Sequence, residues 1–153
     1  MKPYIHGGIC ILWTIDASVG KQASNSVPAD VAYIQWYYQL ASTFHETPPE
    51  RQAIYRKVQV TGRCTGLDSD PLVQAILAHQ KGLNHPVVDG KVSVLSGSAG
   101  DQRLIGGNAF MVLRIGARIA YMYPDHWPRL DKMPGCPKVV GDIVKGSVPL
   151  PGQ

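Results

Sequence analysis

Cys136 is the residue whose type and setting most invite a chemical reading: it lies in Pro134-Gly135-Cys136-Pro137, with His126 ten residues upstream. A thiol acts as a nucleophile when a base or a positive dipole lowers its pKa. Prolines flank this one, the neighbouring positions supply no base, and no catalytic role is expected of it. G-x-S-x-G, H-E-x-x-H and P-loop patterns are absent, and Glu46 and Glu50 beside Pro48-Pro49 lack the second carboxylate arrangement that glycosidase chemistry uses. Cys10, Cys64 and Cys136 are far apart and form no zinc-ligand spacing with each other or with His6, His45, His79, His85 and His126. The sequence therefore points to no metal and no cofactor, and at most one intramolecular disulfide.

Binding is the chemistry that remains. Gln35 and Gln80 each interrupt an apolar helical stretch, Trp36, Tyr37 and Tyr38 follow the first of them, and Asp89-Gly90-Lys91 follows the second. Two roles are open to each. The amides can meet a ligand or neighbouring backbone groups, Asp89 can contact a ligand or form a turn through its own backbone, and the aromatics can be core or interface.

The elements that must position these residues are legible from periodicity and punctuation. Ile9 to Ile15 reads as a strand. Pro28 and Asp30 open a helix to about Thr43, with Val31, Ile34, Tyr38 and Ala41 on one apolar stripe. A short helix is expected from Glu50 to Lys57, then a connector from Val58 to Gly66. Asp70-Pro71 caps a second main helix, whose stripe is Leu72, Val73, Ile76 and Leu77 and whose end is Gly82. Asp89-Gly90 is a tight-turn pair between two short extended pieces, and Ser96 to Asp101 is a polar linker. Ala109 to Tyr123 permits strands through its β-branched and aromatic residues, but the spacing of Phe110, Leu113, Ala117 and Ala120 favours a helix, capped by Asn108 and weakened by Gly116. The tail, with Pro124, Pro128, Pro134, Pro137, Pro149 and Pro151, reads as mostly irregular, with a strand from Val139 to Val144.

With 153 residues the chain has enough length for a core without covalent staples. Its net charge of +4 is scattered, with no dense Lys/Arg run of the kind that tracks nucleic acid. No stretch is long enough to span a bilayer, and no general secretory signal is evident, so cytoplasmic synthesis is expected and any periplasmic role needs a specialised route.

Two stretches follow one plan. The first is Ser18-Val19-Gly20 followed by Val27-Pro28-Ala29-Asp30-Val31-Ala32-Tyr33-Ile34-Gln35, and the second is Asp70 to Lys81 followed by Val88-Asp89-Gly90-Lys91-Val92. In this order they resemble the peptidoglycan-binding-like modules that accompany bacterial type VI secretion proteins, with S-V-G, P-A-D-V-x-x-V-Q, A-I-x-x-F-Q and D-G-x-V motifs. The likeness covers about Ile15 to Val94; His79 stands where those modules have an aromatic, and Trp36-Tyr37-Tyr38 replaces an aliphatic pair. It implies a mainly α fold: a small three-helix bundle with short β pieces over residues 1–95, and a Pro-rich C-terminal extension over 96–153 that packs on it or stands as a small appended element. It also implies a non-enzymatic module that binds peptidoglycan or a type VI secretion component in a groove lined by Gln35, Tyr38, Gln80, Asp89 and Lys91. Trp36 and Tyr37 would be the patch for a protein partner. The alternatives are a wall-targeted toxin or hydrolase with its active part in the C-terminal region, and an adaptor or immunity-type protein.

Overall fold

In the computed structural model, which describes residues 1–95, 110–148 and 150, the first apolar helix, α1, runs Pro28–Ala41. Proline occupies its first turn, as the sequence leads one to expect. The single apolar stripe does not capture it, because every residue of α1 except Pro28 and Gln39 is buried. A helix enclosed on all sides needs no polar face, and α1 is surrounded by elements from both ends of the chain. Asp30 is fully buried near its start. One carboxylate oxygen accepts from the Asp16 and Ala17 N–H groups at 2.8 and 2.9 Å, and the other faces the Met1 ammonium at 2.6 Å.

The N-terminus forms a hairpin. Strand β1 (Lys2–His6) pairs antiparallel with β2 (Ile9–Thr14), and Gly7-Gly8 turns between them with both φ angles positive. That conformation is what a two-residue hairpin turn of the primed type requires. The expected strand is thus β2, and its partner was not anticipated. A second, minimal sheet pairs β3 (Val19–Gly20) with β4 (Lys91–Val92). The extended pieces around Asp89-Gly90 therefore do not pair with one another; Lys91 and Val92 pair with the lead-in to α1.

Helix α2 (Pro49–Arg56) and α3 (Pro71–Gly82) lie close to the expected spans. Asp70 caps α3 by accepting from Leu72 N at 2.9 Å, and its other oxygen holds Thr65 N at 2.8 Å. Helix α4 (Met111–Met122) also matches the sequence reading, with Phe110 before its first turn. Asn108 as a cap and the Ser96 to Asp101 linker lie outside the described residues. Gly116 has a packing reason, since a Cβ there would stand 3.2 Å from Leu12 Cβ on β2.

The tail corrects the sequence reading. Residues Lys138–Gly146 form a helix, α5, where a strand from Val139 to Val144 was expected, and a single 3-10 turn at Leu130–Lys132 precedes it. Val140 and Val144 are four residues apart on the helix and fully buried, with Ile143 packed alongside, so burial of one helical face overrides the β preference of the valines. The described parts of residues 110–150 share one core with residues 1–95. Trp13 Nε1 donates to the Pro128 carbonyl at 2.8 Å, and Trp36 Nε1 to the Pro134 carbonyl at 2.9 Å. The described chain is mainly α-helical with small sheets, and none of its helices is long and apolar enough to cross a membrane.

Candidate functional site

Gln35 and Gln80 perform the same task on two different turns. Gln35 Oε1 accepts from Thr61 N and Gly62 N, both at 2.9 Å, while Nε2 donates to the Arg63 carbonyl at 2.8 Å and to Thr61 Oγ1 at 3.2 Å. Gln80 Oε1 accepts from Asp89 N at 3.1 Å and Gly90 N at 2.8 Å, while Nε2 donates to Asp89 Oδ1 at 3.0 Å and the Lys91 carbonyl at 3.3 Å. In both turns the first side chain also accepts from the third residue's N–H, and the central glycine has a positive φ of 74° at Gly62 and 71° at Gly90. Thr61-Gly62-Arg63 is thus the structural counterpart of Asp89-Gly90-Lys91. The repeated plan seen in the sequence is a repeated clamp.

Of the expected groove residues, these contacts bury Gln35, Tyr38 and Gln80, whereas Asp89 and Lys91 are half-buried and Gln35 also lines a cavity of about 320 Å³ with Thr61, Arg63 and Leu72. Gln35, Tyr38 and Gln80 are 3 %, 0 % and 1 % exposed. Tyr38 shares a 3.0 Å hydrogen bond between its hydroxyl and His79 Nδ1. Asp89 folds its own turn, and Lys91 contributes its backbone to the clamp and to β4. In the expected partner patch, buried Trp36 is held by Pro134, and Tyr37, though mostly buried, stacks on His79 with centroids 5.6 Å apart and faces a cleft.

A cleft of about 410 Å³ lies where α1, the 44–47 turn, α2, α3 and α4 meet. Arg51, Arg114 and Arg118 line it, with Glu46 as the one carboxylate among the described lining residues, so its charge is positive. Tyr37, Phe44, Tyr55 and Tyr121 supply aromatic wall. His79 stands at its inner end and is almost fully buried. Burial first, and then the positive charge of Arg51, His85 and Arg114, pulls its pKa down to about 3, so the imidazole is neutral and the arginines carry the charge. Burial likewise raises the Tyr37 and Tyr55 phenols, which stay protonated as donors.

Arg118 lies 5.6 Å from the Phe44 ring centroid and 5.4 Å from that of Tyr121, and one of its nitrogens is 3.1 Å from Glu46 Oε2. Arg51 lies across Gly82, where a Cβ would collide with its guanidinium. No family model, curated protein or solved structure matches the chain.

Cys136 stands apart from this site. Burial, with the Asp131 charge adding to it, pushes its thiol up to about 11, and its Sγ contacts the Pro137 carbonyl at 3.6 Å. A protonated thiol in that setting is a poor nucleophile. Among the described residues no group of three or more His, Cys, Asp or Glu is placed to hold a metal ion.

The sequence reading missed the cleft arginines. Arg114 and Arg118 are four apart in a stretch already read as helix, which puts them on one face, and that signal was available. Nothing local ties Arg51 or Glu46 to them, since those residues come from a different part of the chain.

Proposed function

We propose that this protein is a non-enzymatic binding module of the type VI secretion-associated kind, and that it holds the acidic peptide of bacterial cell wall in the cleft around Arg51, Arg114 and Arg118. One observation carries the reading: three arginines and four aromatic rings converge on a single concave site of about 410 Å³. That volume falls in the range of about 300–1,000 Å³ usual for ligand pockets. Wall stem peptides present free carboxylates next to apolar side chains and sugar rings, and guanidinium groups beside aromatic faces complement that combination. The two glutamine clamps support the reading indirectly, as they repeat one internal plan in the part of the chain that carries the resemblance.

Sedimentation with purified, insoluble peptidoglycan tests this. The parent protein should pellet with the wall fraction, and the Arg51→Ala, Arg118→Ala double variant should lose about tenfold or more in affinity, since each arginine would supply a charge-assisted hydrogen bond. A parent protein that stays in the supernatant at low ionic strength would refute the wall ligand and leave a protein partner as the reading to pursue.

A further inference from the structure

Glu46 occupies the cleft in the manner of a ligand. Its carboxylate meets Arg118 at 3.1 Å, yet its side chain is 54 % exposed and that of Arg118 is 32 % exposed, the setting in which an ion pair is weakest. Arg118 does not depend on that partner for its position, because it packs over the Phe44 and Tyr121 rings. Deeper in the same cleft, the Tyr55 hydroxyl is buried, and no hydrogen bond of good geometry satisfies it among the described residues. Arg51 stands beside it, and both its charge and its hydrogen-bonding contact with the hydroxyl oppose the rise that burial gives the phenol. A buried donor beside a guanidinium that lies across Gly82 is a partly formed anion cradle.

We infer that the cleft is a carboxylate site with a built-in competitor: Arg51 and the Tyr55 hydroxyl anchor one carboxylate of the ligand, and a second displaces Glu46 from Arg118. This rests on the wall-peptide reading above and deepens it, assigning the ligand class as a peptide with at least two free carboxylates and giving Glu46 an autoinhibitory role. No bond is made or broken; one ion pair is exchanged for another of the same charge type, so the position of Arg118 is conserved while its partner changes.

The test is isothermal titration with the tripeptide L-alanyl-γ-D-glutamyl-meso-diaminopimelate as probe, against the parent, Glu46→Gln and Tyr55→Phe. Glu46→Gln should bind about two- to fivefold tighter, because the competing charge is gone and the side chain's size is kept. Glu46→Ala should move affinity in the same direction, which guards against an effect of the new amide. Tyr55→Phe should bind about fivefold more weakly while keeping a cooperative melting transition, since one donor to the ligand carboxylate is lost. The tripeptide with its carboxylates amidated should lose binding to parent and variants alike. If the parent binds and Glu46→Gln binds no tighter, the competitor role is wrong while the wall-peptide reading stands. If neither binds the tripeptide but the parent still pellets with intact wall, the two-carboxylate site is wrong and another wall feature is recognised; failure in both assays removes site and reading together.

Discussion

Gln80 illustrates how a polar side chain on an apolar helix can have its whole hydrogen-bonding capacity taken up by the chain itself. Its amide meets Asp89 N, Gly90 N, Asp89 Oδ1 and the Lys91 carbonyl, and Gln35 does the same for Thr61-Gly62-Arg63. Replacing either glutamine with leucine keeps the volume but leaves two backbone donors unpaired beside the core. Gln80→Leu and Gln35→Leu should each cost about 2–4 kcal/mol in urea unfolding, whereas the exposed Lys81→Ala should change stability by about 0.5 kcal/mol or less. A Gln80→Leu protein as stable as the parent would show that the clamp contributes nothing. The sequence made the interruption of the apolar stretch visible, and it made the Asp89-Gly90 turn visible. It did not reveal that the one serves the other, because the bonds join a helix to a loop through space; for Gln35 the partner turn is more than twenty residues away.

At the scale of elements, the helices that begin with proline were legible where the proline was read as a start signal and misread where it was taken as a breaker. Pro28, Pro49 and Pro71 open α1, α2 and α3, and Pro137 stands immediately before α5. The same rule applied to the tail gives α5, but the run Val139-Val140 with Ile143-Val144 carries a β signal that only its tertiary setting overrules. Strand β1 was missed because a five-residue edge segment containing Pro3 has little pattern of its own until Gly7-Gly8 folds it onto β2. The α5 assignment has a direct test. A strand would put Asp142 on the same face as Val140 and Val144, whereas the helix puts Ile143 there. Ile143→Ala should therefore lower stability by about 1–3 kcal/mol, and the exposed Asp142→Ala by about 0.5 kcal/mol or less. The opposite ranking would return the segment to a strand.

On the scale of the whole molecule, burial of His79 couples the cleft to global stability. The imidazole is enclosed by Tyr37, Tyr38 and Tyr55, with Arg51, His85 and Arg114 acting on it, and its pKa falls to about 3. An unfolded chain binds a proton at this histidine below about pH 6.5. Between these values the unfolded state holds a proton that the fold excludes, so the stabilisation is complete above about pH 6.5, declines as pH falls, and is exhausted near pH 3. The slope approaches about 1.4 kcal/mol per pH unit inside the window. The depressed carboxyls of Asp16, Asp70 and Asp131 add their own loss only as the pH nears their unfolded value of about 3.9, which leaves about pH 4.5–6.5 governed largely by His79 among these groups. Urea unfolding at pH 7, 5.5 and 4.5 should show the parent losing stability across this interval and His79→Asn losing much less of it. A parent whose stability is level from pH 7 to 4.5 would mean that the histidine is not held neutral. The same enclosure has a consequence for binding: with His79 uncharged down to low pH, the positive charge of the cleft comes from arginines that do not titrate, so carboxylate binding should vary by about twofold or less between pH 5.5 and 8 while the fold that supports it weakens at the acid end.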